Sequence, residues 1–387
     1  MKVLLLAGEE SGRHYADGLK ALLGGHEVRG YGDYGFATAD LAVMGFWPVL
    51  RRIFFFLRVK RTMQRAIDEW RPDVVCTIDY PGMNLKLAAY AKARGIRAVH
   101  VVCPQVWAWH SGRIPKIEAS LDRLCCFFPF EPALFRPGFA EFVGHPLADE
   151  FRAGNGERES AVAMAMAVES GNGLPAEASA KARERREKGL VAFLPGSRLG
   201  EIERCLPVML DALSLLPEGV SAEIPAANSR AKEAIDRIVA ARSPARKVAT
   251  TLGGARALLM RADCAVVASG TATLEAALAR CPTVLVYRVS RALAWFARRV
   301  IKGVKHVGLA NVVWEKGGGK GEEPMPELLQ EGFTPERVAE WLCRWLSDPA
   351  ARTEAVRRLD AAVSALSSPS PALAGICAAV VGQQPQF

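Results

Sequence analysis

Cys264-Ala265-Val266-Val267-Ala268-Ser269-Gly270-Thr271-Ala272-Thr273-Leu274-Glu275 passes from an apolar run through a Ser-Gly turn into a helical pattern. An apolar run without polar alternation reads as a strand buried on both faces of a parallel sheet. The turn sets small residues, hydroxyls and backbone N–H groups at the positive end of a helix, which suits a diphosphate. Ser269, Gly270 and Thr271 are the candidate phosphate contacts. Glu275, one turn inside the helix, is placed to accept hydrogen bonds from ribose hydroxyls. The same residues also fit a Ser/Thr helix cap with Glu as its capping-box partner. The position directly after a strand favours phosphate.

The strand–turn–helix unit recurs in both directions along the chain. Leu190 to Leu194 is a strand ending in Pro195-Gly196-Ser197-Arg198, followed by a helical pattern from Glu201 to Leu216. Gly196 permits close backbone approach, Ser197 offers a hydroxyl, and Arg198 offers a planar fork for phosphate oxygens. A tight turn with a solvated arginine is the plainer alternative. Thr283 to Tyr287 is a further strand, ending at Arg288. Nearer the N-terminus, Lys2–Ala7, Val74–Ile78, Ala98–Val102, Leu124–Phe128 and Glu141–Val143 read as strands. The helices expected among them are 12–23 and 84–94. Alternating strands and helices imply an α/β protein of two Rossmann-like, doubly wound lobes facing a central cleft, with ligands outside the carboxyl ends of the strands. The expected divisions are an N-terminal lobe, 1–151, and an insert or linker, 152–188, where Ala, Glu, Ser, Gly and Arg dominate. A second lobe, 189–348, and a helical tail, 349–387, that can return to the first lobe complete the chain. Gly317 to Gly321 reads as a mobile loop, because it lacks the phosphate-loop pattern.

In the first lobe, Asp79 ends an apolar strand within Thr77-Ile78-Asp79-Tyr80-Pro81-Gly82-Met83-Asn84. A carboxylate there can take a proton from a sugar hydroxyl. Alternatively, Asp79 and Asn84 only cap backbone N–H groups at a helix entry. Pro104-Gln105-Val106-Trp107-Ala108-Trp109-His110 places two tryptophans two apart after a strand, so one can pack inward while the other meets a sugar. His110 is either a second acid/base group or a hydrogen-bonded structural residue. Nothing else shows His or Cys at ligand spacing, so no metal and no cofactor are expected. Nine scattered cysteines, an odd count without a framework, read as buried thiols of a reducing compartment.

The 387 residues carry 50 Lys and Arg against 41 Asp and Glu, a formal charge of +9. That balance suits anionic ligands such as sugar nucleotides and phospholipid headgroups. Nucleic acid is the least favoured partner, since no zinc-finger spacing or RNA-binding aromatic signature accompanies the charge. The N-terminal apolar run is too short for a signal peptide and carboxylates follow it at once. No apolar stretch is long enough to cross a bilayer. A cytoplasmic location is therefore expected, peripheral at an anionic membrane surface. The surface contact is Leu50 to Arg65, where Arg58, Arg61 and other cations surround Phe54-Phe55-Phe56. On a helix Leu50, Ile53, Phe54 and Leu57 share one face, leaving Phe55 and Phe56 partly off it. Exposed aromatics among cations suit an interfacial helix; a core helix with a solvated basic rim fits as well. Residues 295–302 repeat the composition.

Taken in order, these segments resemble the lipid-A-disaccharide synthase family. The matching stretches begin with Ala7-Gly8-Glu9-Glu10-Ser11-Gly12, Leu41-Ala42-Val43-Met44-Gly45 and Pro72-Asp73-Val74 through Ile78-Asp79-Tyr80-Pro81. They continue through Pro104-Gln105-Val106-Trp107-Ala108-Trp109, Pro129-Phe130-Glu131, Gly144-His145-Pro146-Leu147-Ala148-Asp149 and Leu194-Pro195-Gly196-Ser197-Arg198. Ala268 to Glu275, Tyr287-Arg288 and Leu309-Ala310-Asn311 complete the set, which covers most of residues 1–345. The resemblance implies a GT-B fold and an inverting, metal-independent transfer at the inner face of the inner membrane. The donor would be UDP-2,3-diacylglucosamine and the acceptor the 6-hydroxyl of 2,3-diacylglucosamine 1-phosphate. The products would be the β-1,6 disaccharide 1-phosphate and UDP. It assigns Asp79 as general base. Gly196, Ser197, Arg198, Ser269, Gly270, Thr271, Glu275, Arg288 and Asn311 fall to the UDP-sugar site. Glu9, Ser11, Gly12, Gln105 and Trp107 fall to the acceptor side. Family members can exchange C-terminal segments in dimers, so the resemblance is compatible with a homodimer, while the Ala-rich tail after Pro349 by itself reads only as a helix.

The chain departs from the pattern at Arg13, where the family commonly has Asp, and at Gly82, where it has a second acid. The stretch from Gly30 to Leu41 is also short. All three changes lie in the acceptor-side lobe. Two alternatives therefore stand beside transfer: a related UDP-sugar transferase or epimerase with another acceptor, and a non-catalytic UDP-sugar- or lipid-binding paralogue.

Overall fold

The computed structural model describes residues 1–8, 10–37, 41, 53–109, 111–152, 189–289 and 305–382. Glu9, the Ser11 side chain, His110, nearly all of the expected insert and the 295–302 segment lie outside the described residues. The chain forms two compact units, one of Met1–Asp149 with Leu366–Phe387 and one of Glu150–Ala365.

The first unit is built on a six-stranded parallel sheet, ordered β2-β1-β3-β4-β5-β6. Its strands are β1 (Lys2–Ala7), β2 (Glu27–Arg29), β3 (Val74–Ile78), β4 (Arg97–Val101), β5 (Arg123–Cys126) and β6 (Ala140–Phe142). Its helices include α1 (Glu10–Leu22), α2 (Ile53–Trp70), α3 (Pro81–Lys92) and α4 (Ile114–Ser120). Successive residues of β1 feed opposite cores, Val3 and Leu5 packing with Leu19 and Leu23, Leu4 and Leu6 with Met63 and Ile67. This two-sided burial is why the strand is written as an unbroken apolar run.

The second unit repeats the plan with the order β12-β11-β10-β7-β8-β9. Its elements in chain order are β7 (Leu190–Leu194), α5 (Leu199–Ser214), β8 (Ser221–Ala226), α6 (Ser229–Arg242), β9 (Val248–Leu252) and α7 (Ala255–Arg261). They continue with β10 (Cys264–Ala268), α8 (Thr271–Leu278), β11 (Thr283–Tyr287), α9 (Leu309–Lys316), β12 (Glu327–Leu329), α10 (Pro335–Ser347) and α11 (Pro349–Val363). In each sheet the winding reverses once, between β1 and β3 in the first and between β7 and β10 in the second. Crevices for ligands open at such reversals, beyond the strands' carboxyl ends.

The final helix, α12 (Ala372–Val381), belongs to the first unit, whereas α11 stays with the second. The expected boundary at 349 therefore shifts to 365, because Ala355 of α11 is part of the second unit's core. The motif Gly144 to Asp149 receives the returning chain. His145 donates its backbone N–H to the Leu366 carbonyl (2.9 Å), and Asp149 Oδ2 accepts the Ala372 N–H at the start of α12 (2.6 Å). A side chain at Gly144 would strike Ser368, since its Cβ would lie 2.6 Å from Oγ.

Two expectations need correction. Residues 317–319 are a hydrogen-bonded helix end, with the N–H of Gly317, Gly318 and Gly319 donating to Val313, Glu315 and Trp314. The Trp314 ring lies against Gly319, where a Cβ would come within 2.3 Å of it. In α2 the phase is opposite to that expected: Phe56 is buried with Val59, Met63 and Ile67, and Phe55 is half-buried against Phe36. The exposed apolar residues are Ile53, Phe54 and Leu57, with Phe54 83% exposed.

Candidate functional site

Three of the sequence segments converge at the carboxyl ends of adjacent strands in the second unit. β7 ends in 195–198, β10 in Ser269-Gly270 and β11 in Tyr287-Arg288; β7 and β11 both pair with β10. Gly196 adopts φ 108, and a Cβ there would meet the Glu201 side chain within 2.6–2.9 Å, so both conformation and space demand glycine. Ser197 and Arg198 are exposed. Arg198 donates from Nη1 to Glu201 Oε1 (2.8 Å) at the first turn of α5.

The start of α8 excludes one of the two readings of its sequence. Its N-cap is Gly270, at φ 152 and ψ −166, and no side chain caps it. Thr273 Oγ1 instead donates back to the Gly270 carbonyl (2.8 Å), so the capping-box alternative is not realised. The Ser269 N–H is used by the sheet, donating to Val286 O (3.1 Å), so the helix end rather than Ser269's amide offers donors. Glu275 is half-buried, and burial raises its carboxyl above the usual range, against the pull of Arg256. Arg256 pairs with Glu150 and lies over the Phe151 ring.

Arg288 and Asn311 are held differently. The Arg288 guanidinium donates to the Gln330 and Phe333 carbonyls. Asn311 is fully buried: Nδ2 donates to Met325 O (2.8 Å) and Glu327 Oε1 (2.9 Å), and Oδ1 accepts from Met325 N (3.0 Å). Glu327, which sequence reasoning missed, also accepts the N–H groups of Val307 and Gly308 before α9. Asn311 and Glu327 fasten the start of α9 to the segment that leads into β12.

At the reversal in the first unit, Asp79 follows β3. Its N–H donates to Val101 O (2.9 Å), and its Oδ1 accepts the Tyr80 N–H (2.8 Å). Burial raises its carboxyl above the usual range, with the Tyr80 N–H opposing. Asp79 and Tyr80 both adopt left-handed conformations, φ 49 and 51. The Tyr80 ring sits on Gly8 at the end of β1, where a Cβ would lie 2.5 Å from Cδ1. Gly12 of α1 lies beside Ile78, where a Cβ would fall 3.4 Å from the isoleucine side chain, an ordinary contact.

After β4, Gln105 and Trp109 are exposed and Trp107 is half-buried. Trp107 stands edge-on to Phe130 (5.6 Å between centroids), and Phe128 stacks with Phe130 at 5.7 Å. Its indole N–H donates to Glu131, which is 1% exposed and also accepts the Phe128 N–H (3.1 Å). Burial pushes the Glu131 carboxyl up to about 8, against those two donors. Cys103 and Cys126 lie beside it, the candidate ligand atoms of the three residues being within 4.8 Å of one another. The Cys126 thiol is raised by its hydrogen bond with the free thiol of Cys103 and by burial; a cation would have to displace protons here.

Comparison with known proteins settles the lineage. The family model described as lipid-A-disaccharide synthetase matches residues 5–367. A lipid-A-disaccharide synthase of Syntrophus aciditrophicus is 35% identical over 366 residues, 90% of this chain and 88% of that one. This chain belongs to the lipid-A-disaccharide synthase family. The Chromohalobacter salexigens synthase is likewise 35% identical over 367 residues, covering 90% and 88%. UDP-GlcNAc 2-epimerase from Neisseria meningitidis, solved bound to UDP-GlcNAc, superposes with a TM-score of 0.57 at 12% identity, covering 99% of this chain and 100% of that one. That likeness speaks for the fold, two Rossmann-like lobes of the GT-B class. Membership makes the chain a UDP-sugar-dependent glycosyltransferase of lipid A disaccharide formation, and the epimerase and binding-protein alternatives are not favoured.

Among the described residues no helix is long and apolar enough to cross a membrane. The sequence alone left the glutamate of Pro129-Phe130-Glu131 without a role. Its partner, Trp107, stands 24 residues away.

Proposed function

We propose that this chain performs the family's reaction with Asp79 as general base and with the β7, β10 and β11 ends of the second unit holding the donor's diphosphate. The observation that carries the reading is the coincidence of these segments with the two sheet reversals. The donor is UDP-2,3-diacylglucosamine and the acceptor 2,3-diacylglucosamine 1-phosphate. Asp79 removes the proton of the acceptor 6-hydroxyl as its oxygen attacks C1 of the donor sugar. The C1–oxygen bond to UDP breaks on the opposite face, so one displacement inverts the anomeric centre. The charge growing on UDP is met by the Arg198 guanidinium and the uncapped start of α8, donors already in place before the reaction.

The acyl chains of both substrates call for a protein seated at a lipid surface. Ile53, Phe54 and Leu57 form an outward apolar face on α2 beside the exposed Arg58 and Arg61. This arrangement supports docking of α2 on an anionic bilayer, at the inner face of the inner membrane.

The decisive experiment incubates the purified chain with both acylated substrates and identifies the products by mass. Equimolar UDP and β-1,6-linked disaccharide 1-phosphate are expected. UDP release that does not require the acylated acceptor, or no release at all, would sink the proposal.

A further inference from the structure

Asn84, the fourth residue of α3, is fully buried, yet its side chain is saturated with polar partners. Its Nδ2 lies 3.1 Å from the Leu6 carbonyl, 3.0 Å from that of Ile78 and 2.8 Å from that of Asp79. Its Oδ1 accepts the phenolic hydrogen of Tyr31 at 2.8 Å. Tyr31 is itself buried, and burial raises its phenol well above the usual range, so it stays a donor. One carboxamide thus joins the ends of β1 and β3, the strands flanking the first reversal, to the carbonyl of the residue bearing the base.

The local backbone needs such a fastening. Two consecutive non-glycine residues, Asp79 and Tyr80, are left-handed, a conformation that crowds the Cβ against the following carbonyl oxygen. Conformations of this kind persist only where their surroundings over-determine them. Here the determinants are the Asn84 bonds, the Asp79 N–H to Val101 O, and the Tyr80 ring seated on Gly8. Of the carboxylate oxygens, Oδ1 accepts the Tyr80 N–H, and Oδ2 has no partner among the described residues. The backbone conformation therefore decides where Oδ2 points.

We propose that Asn84 and Tyr31 are positioning residues for catalysis: the Tyr31–Asn84 pair holds the left-handed Asp79–Tyr80 turn so that one oxygen of Asp79 is aimed at the acceptor hydroxyl. The inference rests on the reading of Asp79 as general base and extends it to residues that never touch substrate. It also gives the Gly30–Leu41 segment a purpose, since that segment supplies Tyr31.

The test compares Tyr31→Phe, Asn84→Ala, the double variant and Asp79→Asn. For each, kcat, both KM values, the pH profile of kcat/KM and the melting temperature are measured. Misplacement of a reacting group by an ångström costs about 100-fold, so Asn84→Ala is expected to lose roughly that much kcat. Tyr31→Phe, which leaves the carboxamide in place, is expected to lose about 5-fold. KM values should stay within about twofold, since ground-state contacts are untouched. A loosened Asp79 regains water, so the acid limb of Tyr31→Phe should move to lower pH, a change that lowered stability alone would not produce. The double variant should be no slower than Asn84→Ala, because the two act as a unit. Should Asn84→Ala fail to fold, Tyr31→Phe decides through its kcat and acid limb. An inactive Asp79→Asn beside unchanged kcat and acid limb in Tyr31→Phe and Asn84→Ala overturns the inference and leaves Asp79 as base. Full activity of Asp79→Asn overturns both.

Discussion

The indole N–H of Trp107 donates to Glu131 Oε1 across 3.1 Å, tying the turn after β4 to the loop after β5. With burial holding Glu131 up to about 8, the carboxyl folds protonated at neutral pH. A folded value above the unfolded one, about 4.3 for glutamate, means the native state keeps a proton the unfolded state has lost. Stability from this group is therefore complete below the unfolded value and declines as pH rises towards 8. The slope approaches about 1.4 kcal/mol per pH unit in that window. In Glu131→Gln this contribution should vanish, visible as a flatter melting temperature between about pH 5 and 8. An unchanged slope would show the carboxyl ionised throughout.

With Asp79 as the proposed general base, the reaction should depend on acid. A base works only when deprotonated, and burial raises this carboxyl, so kcat/KM should fall with decreasing pH through a value above the usual aspartate range. A rate profile recorded well below the melting temperature checks this. Asp79→Ala should lose about 10²–10⁴-fold and show no such limb.

Arg198 tests the donor site. Its ion pair with Glu201 is exposed, so Arg198→Ala should change stability by only about 0–1 kcal/mol. A charge-assisted bond to a phosphate oxygen is worth about 1.5–3 kcal/mol, so UDP affinity should drop roughly 10–100-fold in a calorimetric titration. Arg198→Lys should recover part of it, lacking the planar fork. Unaltered UDP binding in Arg198→Ala would remove the guanidinium from the site.

Asn311 should behave in the opposite way. Asn311→Ala strands the Met325 N–H and carbonyl in the interior, at about 1–3 kcal/mol per group. Thermal unfolding should move down accordingly, while UDP affinity of the folded protein stays close to that of the parent. A selective loss of UDP binding at unchanged stability would instead make Asn311 a ligand contact.

Phe54 and Phe56 separate docking from packing. Phe54→Ser removes an 83% exposed ring and should weaken sedimentation with anionic phospholipid vesicles without moving the melting temperature. Phe56→Ala opens a cavity and should cost about 3–5 kcal/mol of stability. Equal vesicle binding by Phe54→Ser and the parent chain would remove α2 from the membrane contact.

Central strands were readable because burial on both faces leaves them no polar alternation. Val74–Ile78, Leu190–Leu194, Cys264–Ala268 and Thr283–Tyr287 stand where the apolar runs placed them. β8, written Ser-Ala-Glu-Ile-Pro-Ala, and β9, with its two threonines, lie towards a sheet edge and carry no such run. The three-residue edge strands β2 and β12 are too short to show any period. The phase of α2 is not set by the residues up to Leu57, where apolar side chains occupy both faces. Extended to Val59, Met63, Ile67 and Trp70, the 3.6-residue period points inward through Phe56. Asp79 was legible as the acid ending an apolar strand. The hydrogen bonds of Glu131, Glu327 and Asn84 were not, since each depends on a partner brought close only by the fold.

The return of α12 to the first unit has a consequence for biosynthesis. Ile376, Ala379 and Val380 complete the core that already contains Leu19, Cys76 and Val101. Domains commonly fold in order as they leave the ribosome. Here the leading unit lacks three of its core residues until the trailing one has been translated. Such a nascent chain is a natural client for chaperones that shield apolar surface until the last turns of helix arrive.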